Sequence, residues 1–269
     1  MNRCDICIEE DCKGLKNCNC ETCENRLKCN KFLHPTIRIT TKCTQSCSHC
    51  GFSCSPKKKD MMDIEMAENI SKFILNNNIK SLNLMGGEFY MNPHWYLILS
   101  KLVENVLSAR LVTNGDWATN EYETEKVIEF FKNRNHVKLS ISKDKWHTNK
   151  NVDKAEQICI ENNIPYNVAN DDQVTNESVV PIGRGAYHYN MYSFFSCYCH
   201  NPEHKYSFLI DEKGEIYKCS FGVWAYDNIS NFIDGGFAER FKDFNKKFYS
   251  CFVSNCSSCL RMYQFRKVQ

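Results

Sequence analysis

The sequence predicts an α/β protein: an open, partial (βα)6 barrel flanked by a cysteine-rich N-terminal segment and a small C-terminal β-hairpin and helix. Three observations predict it. From about residue 35 to 190, short β-branched or apolar runs alternate with stretches of helical period, the mark of a parallel sheet with crossover helices. Six such units are present, too few for a closed eight-fold barrel, which takes about 250 residues. Of the 18 cysteines among the 269 residues, 17 fall in three groups: seven in the first thirty residues, four between 43 and 54, and six after residue 196. Cys159 stands alone on an apolar helical face and reads as core. The boundaries that follow are 1–34 for the cysteine-rich segment, 35–190 for the barrel and 191–269 for the extension.

Each element has a local reason. Residues 36–41 (TIRITT) are β-branched at period 2 and read as the first strand. Residues 63–76 place Ile64, Met66, Ala67, Ile70, Phe73 and Ile74 on one helical face and end at the breaker Asn76-Asn77-Asn78. A strand at 81–85 and a helix from after Pro93 to residue 107 follow. The alternation continues with strands at 109–113, 137–142 and 165–169 and helices at 121–132 and 152–161. A last apolar run at 178–182 closes the series.

Composition excludes several classes. With 34 basic and 32 acidic residues the net charge is +2, which argues against nucleic acid or a polybasic membrane surface as partner. No run approaches the roughly 18 apolar residues of a membrane span. The start, MNRCDICIEEDCKG, lacks the apolar run of a secretory signal. A cytoplasmic location is expected, where thiols stay reduced and clustered cysteines point to metal.

In a parallel architecture, chemistry gathers at the carboxyl ends of the strands. After the first strand stands Cys43-x3-Cys47-x2-Cys50, with His49 before the last cysteine. Three thiolates in one tight loop suit a [4Fe-4S] cube with one iron left open; zinc with Cys54 as fourth ligand is the other reading. After the second strand stands Gly86-Gly87-Glu88, where glycines admit a close ligand and a carboxylate can take an ammonium, or which simply turns into the next helix.

Together with Thr113-Asn114-Gly115 after the third strand, these motifs resemble the radical S-adenosylmethionine superfamily over about residues 35–190. The resemblance implies an enzyme whose open iron takes the amino and carboxylate groups of S-adenosylmethionine. Reductive cleavage then releases a 5′-deoxyadenosyl radical that abstracts a substrate hydrogen. It also implies that Glu88 holds the methionyl ammonium, that Gly86, Gly87 and Asn114 line the cofactor, and that His49 packs near the adenine. Ser140 and Ser142, at the end of the fourth strand, are either ribose or carboxylate contacts or buried strand hydroxyls. Asp144 and His147 are either substrate-facing groups or a helix cap and a solvated ring. Arg184, in Pro181-Ile182-Gly183-Arg184-Gly185, either pairs with a cofactor or substrate carboxylate or lies on a surface turn.

The C-terminal cysteines have their own order. A hairpin at 206–210 and 216–218, turning at Lys213-Gly214, brings Cys199 and Cys219 together. Cys256 and Cys259 approach from beyond a helix at about 237–248, giving four ligands for an auxiliary iron–sulfur cluster, with Cys251 or Cys197 as substitutes; zinc is the alternative metal. The spacing Cys-x14-Gly-x4-Cys resembles the first half of a SPASM/twitch extension, whose fuller continuation is absent. Cys4, Cys7, Cys20, Cys23 and Cys29 suit an N-terminal zinc or a second auxiliary cluster.

Enzymes resembling this chain commonly modify ribosomally made peptides or proteins by epimerisation, thioether crosslinking or side-chain oxidation. Others are small-molecule dehydrogenases or dehydratases. A zinc-stabilised binding module is the reading from a different class. Cys54 and Cys197, if not ligands, are candidate hydrogen donors. An electron donor such as ferredoxin or flavodoxin and anaerobic handling are implied.

Overall fold

The computed structural model describes residues 33–147, 151–170, 184, 207–218, 225–241 and 243. The element order is β1 (His34–Arg38), α1 (Ile64–Asn76), β2 (Ser81–Met85), α2 (Trp95–Val103), β3 (Ser108–Thr113), α3 (Glu121–Phe131), β4 (Val137–Lys143), α4 (Val152–Glu161) and β5 (Tyr166–Asn170). Three further strands follow: β6 (Ser207–Ile210), β7 (Glu215–Tyr217) and β8 (Ala225–Asn228). All eight strands join one sheet in the order β5-β4-β3-β2-β1-β6-β7-β8. The pairs from β5 to β6 are parallel, and β7 and β8 are antiparallel.

The helices form where apolar period and caps agree. Asp63 caps α1 by accepting from the Met66 N–H at 2.7 Å, and the buried face is Ala67, Ile70, Phe73 and Ile74. Asn120 does the same for α3, accepting from the Glu123 N–H at 3.1 Å. Helix α2 buries Trp95, Ile98, Leu99, Leu102 and Val103, each burial favouring the fold by about 1.5–3 kcal/mol relative to exposure. These side chains pack on Leu82, Leu84, Ala109, Leu111, Leu139 and Ile141, the alternate residues of the parallel strands. The other sheet face is polar and cross-linked: His34 Nδ1 lies 2.9 Å from Ser81 Oγ, and Arg110 Nη2 donates to Ser140 Oγ at 2.8 Å.

The expected hairpin is present, but it is not detached from the central sheet. β6 adds in parallel to the outer edge of β1, with His34 opposite Ser207 and Ile37 opposite Ile210. Phe208, Leu209 and Ile210 are all buried, so this strand is covered on both faces and takes an interior position. Its turn is organised by Asp211, whose Oδ1 accepts from the N–H groups of Lys213 and Glu215, with Gly214 at φ +77°. The run at 178–182 lies outside the described residues, as does the far part of the helix expected at 237–248. Among the described residues no helix is long and apolar enough to cross a membrane.

Candidate active site

The carboxyl end of β1 leads directly into the cysteine loop, and the exit of β2 is zipped against it. The Gly87 N–H donates to the Thr40 carbonyl at 2.8 Å and the Glu88 N–H to the Lys42 carbonyl at 2.9 Å. A Cβ on Gly87 would fall 1.9 Å from the Lys42 oxygen; one on Gly86, at φ +143°, would fall 2.5 Å from the Thr40 oxygen. The close approach these glycines permit is therefore that of the loop's own backbone.

This contact aims Glu88 inward. Its side chain is 1% exposed; Oε1 accepts from Thr113 Oγ1 at 2.6 Å and Oε2 from the Asn114 N–H at 2.8 Å. Burial pushes its carboxyl up to about 8, although both hydrogen bonds favour the ionised form. A neighbouring cation would be the natural complement of such a group. Asn114 reaches the cysteine loop as well, donating from Nδ2 to Thr44 Oγ1 at 3.0 Å and lying 3.8 Å from Cys43 Sγ.

Cys43, Cys47 and Cys50 are free thiols of intermediate exposure in one short loop. Burial raises Cys43 to about 12 and Cys47 to about 11. Cys50 is held at about 6: a hydrogen bond with the Cys54 thiol is the largest influence, burial opposes it, and the Cys54 and Phe52 N–H groups and the Arg184 charge also favour the thiolate. Cys54 itself is 2% exposed, and its thiol is pushed upward by the same Cys50 contact. Its N–H lies 3.4 Å from Cys50 Sγ.

Arg184 also turns to this loop. Nε donates to the Cys47 carbonyl at 2.8 Å, Nη2 to the Cys54 carbonyl, and the Arg184 N–H to the Cys50 carbonyl at 3.1 Å. The guanidinium thus grips the loop backbone rather than a side-chain carboxylate.

The turn after β4 supplies a second wall. Asp144 Oδ1 accepts from the N–H groups of Trp146 and His147, and Oδ2 lies 2.8 Å from His147 Nδ1 and 3.9 Å from His49 Nε2. Burial opposes ionisation of Asp144 and is the largest single influence, but the His147 hydrogen bond and charge, the Trp146 N–H and the His49 charge together outweigh it and hold the carboxyl below its ordinary range. The His49 ring sits 5.1 Å from that of His147 and 5.9 Å from that of Trp146. The structure therefore gathers His49, Asp144 and His147 into one group whose ligand atoms lie within 4.8 Å of one another. Ser140 is 1% exposed and accepts from both Arg110 and Asn167, while Ser142 is half-buried.

Residues 37–156 match the family model described as the radical SAM superfamily. That match spans somewhat under half of the chain. Curated relatives include the Bacillus subtilis (strain 168) protein YydG, assigned by name to peptide biosynthesis, 28% identical over 117 residues, or 42% of this chain and 36% of that protein. The antilisterial bacteriocin subtilosin biosynthesis protein AlbA of the same strain is 24% identical over 109 residues, 40% of this chain and 24% of its own. The matches thus span about a third and a quarter of these relatives. Among solved structures, BtrN in complex with AdoMet and 2-DOIA superposes with a TM-score of 0.54 at 14% identity, covering 79% of this chain and 85% of that one. The anSMEcpe enzyme with bound AdoMet and Cp18Cys peptide gives a TM-score of 0.51 at 14% identity, covering 75% and 78%. These likenesses establish the fold.

The site within this matched stretch fits a [4Fe-4S] cluster and S-adenosylmethionine. The donor set is three thiols outside any disulfide, in a loop where the Asn114 amide and the Cys54 N–H already point at sulfur, the arrangement that stabilises cluster thiolates. Beside it lies a buried carboxylate with two hydrogen-bond donors and no cationic partner among the described residues. Cys4, Cys7, Cys20, Cys23, Cys29, Cys197, Cys199, Cys219, Cys251, Cys256 and Cys259 lie outside the described residues.

Sequence reasoning did not single out Thr44, Gln45, Asp116 or Asn151 as members of this site, and gave Thr113 only as part of a motif. The available signal was position: Thr44 and Gln45 stand within the cysteine loop, and Asp116 follows Thr113-Asn114-Gly115 at a strand end.

Proposed function

We propose that this protein is a radical SAM enzyme that abstracts a hydrogen atom from a ribosomally made peptide or protein, leading to epimerisation, a thioether crosslink or side-chain oxidation. The observation that carries the reading is the Cys43, Cys47 and Cys50 loop set directly against buried Glu88 and Asn114. The relatives named for peptide and bacteriocin biosynthesis support a peptide substrate. When bound, the cluster and S-adenosylmethionine supply one-electron reductive cleavage of the cofactor's carbon–sulfur bond.

The chain's own residues bind and orient. Cys43, Cys47 and Cys50 hold the metal, while Glu88 receives the methionyl ammonium and Asn114 fixes the Glu88 carboxylate through its backbone N–H. His49, with the Trp146 ring tilted by 33° and the His147 ring edge-on at 73° to it, forms an aromatic wall for the adenine. Arg184 fixes the loop by donating to the Cys47 and Cys54 carbonyls. Ser142, Asp144 and His147 stand at the β4 end facing substrate. Cys199, Cys219, Cys256 and Cys259 are proposed auxiliary-cluster ligands, and Cys4, Cys7, Cys20, Cys23 and Cys29 an N-terminal cluster or zinc. Reduction requires a donor of the ferredoxin or flavodoxin class.

The test is anaerobic purification, iron and sulfide analysis, then reduction in the presence of S-adenosylmethionine. The expected product is 5′-deoxyadenosine, and its absence from protein with intact clusters refutes the reading. Incubation with a short precursor peptide encoded beside the gene, followed by mass spectrometry and chiral residue analysis, identifies the reaction.

A further inference from the structure

Beside Thr44 and Gln45 of the cysteine loop, one carboxylate collects donors from two segments of the chain other than its own. Asp116 Oδ2 accepts from Thr44 Oγ1 at 2.5 Å and from Gln45 Nε2 at 3.2 Å, and Oδ1 accepts from Asn151 Nδ2 at 3.2 Å. Thr44 and Gln45 belong to the cysteine loop, Asp116 follows β3, and Asn151 precedes α4. The Asp116 N–H donates to Asn114 Oδ1 at 2.9 Å, and Asn114 Nδ2 returns to Thr44 Oγ1 at 3.0 Å. Thr44, Asp116 and Asn114 therefore close a ring in which the Thr44 hydroxyl has a fixed direction: it donates to the carboxylate and accepts from the amide.

Two links tie this ring to the chemistry. Through Asn114 it reaches Glu88, whose Oε2 accepts the Asn114 N–H. Through Gln45 it reaches the loop two residues before Cys47: Gln45 Oε1 accepts from the protonated Cys47 thiol at 3.4 Å, and the bond from Nε2 to Asp116 still holds the Gln45 side chain when that thiol gives up its proton to a metal. Gly115, at φ +84°, makes the turn that places Asp116 here, with the side chains of Ile141 and Ala155 against it. Carboxylates accept only, and all three side-chain donors aimed at Asp116 are neutral, so each bond is charge-assisted and cannot be replaced by an apolar contact.

We propose that Asp116 is a positioning residue for the metal-binding loop: it holds Thr44 and Gln45, and through them Cys43 and Cys47, in register with Glu88. The inference rests on the radical SAM reading of the loop, and the experiment separates the two. Full-length, iron-loaded protein is challenged anaerobically with a ferrous chelator, and alkylation of individual cysteines is followed by peptide-resolved mass spectrometry. Buried Cys159 reports global unfolding. In the wild type, Cys43, Cys47 and Cys50 label only as iron is withdrawn; immediate labelling of all three would overturn the metal assignment itself.

For Asp116→Ala, labelling of Cys43 and Cys47 accelerates about tenfold, as expected for losing charge-assisted bonds, while Cys159 stays protected. Asp116→Asn restores a rate within about twofold of wild type, because one oxygen still receives Thr44 and Gln45 and the Asn151 amide can rotate to accept from the new amide. Should Asp116→Ala expose Cys159, Thr44→Val is read instead, since it removes only the hydroxyl. Wild-type labelling rates at Cys43 and Cys47 with Cys159 protected, in Asp116→Ala or in that fallback, overturn the proposal.

Discussion

Glu88 offers a direct measure of how the cofactor is recognised. Its carboxyl is raised from an ordinary 4.5 to about 8, chiefly by burial. Near neutral pH the ligand-free group is therefore mostly protonated, at pH 6.5 on the order of 3% ionised. An ammonium recognised by the carboxylate requires ionisation first, which costs about 1.4 kcal/mol for every pH unit below 8. The sign follows: raising the pH strengthens binding, and S-adenosylmethionine affinity rises about tenfold from pH 6.5 to 7.5 before levelling above 8. Calorimetric titration in two buffers of different ionisation enthalpy should show close to one proton released near pH 7. Glu88→Gln should bind more weakly, with a flat pH profile and no proton release. A flat wild-type profile without proton release refutes the assignment of Glu88 to the ammonium. In the ligand-free fold the linkage runs the other way. Between about 4.5 and 8 the folded chain holds a proton that the unfolded chain has lost, so stability falls as pH rises through this window, by at most about 5 kcal/mol.

Three further outcomes are expected. Gly87→Ala drives a Cβ into the Lys42 carbonyl and should cost more than about 4 kcal/mol, read as loss of soluble protein or a large drop in unfolding temperature; a drop of only a few degrees contradicts the close backbone approach. Asn77, 3% exposed, donates to the Phe73 and Phe232 carbonyls and accepts from the Phe237 N–H; Asn77→Ala should lose about 2–4 kcal/mol in a thermal scan, whereas a neutral result denies that this side chain ties α1 to the C-terminal segment. Replacing Cys43, Cys47 or Cys50 singly by Ala should lower iron by about four atoms per chain and abolish 5′-deoxyadenosine formation; Cys159→Ala should leave both unchanged.

The parts legible in the sequence are those fixed by short-range rules. The period of α1, its Asp63 cap and its Asn-rich stop lie within sixteen residues of one another, and β2 and α4 are bounded equally locally. The cysteine loop and Glu88 were legible because thiols at that spacing, so soon after a strand, have few other uses. The β-branched pattern predicts the first strand at 36–41, whereas the ladder runs His34–Arg38. Pro35 reads as a breaker, yet it is tolerated near the start of a strand. Residues 39–41 keep the extended look of TIRITT but bond to Met85 and Asp60 as they lead into the loop. The seat of β6 beside β1 was not legible, since four apolar residues say they are buried without saying against which strand. Asp116 and Arg184 were opaque for the same reason, because their partners come from strand ends far apart in the chain.

The seating of β1 between β2 and β6 has a consequence for biogenesis. β2 and its helix emerge from the ribosome soon after β1, but β6 follows about 170 residues later. Until then the strand that carries the metal loop has a bare edge, with His34 to Ile37 lacking their partners from Ser207 to Ile210. Such edges recruit other strands, and pairings this distant form late. Iron delivered early would meet a loop whose supporting strand is only half fastened, so efficient loading favours metal supplied after synthesis is nearly complete. Expression with iron–sulfur assembly factors induced late should therefore give more soluble, better loaded protein than slow synthesis alone.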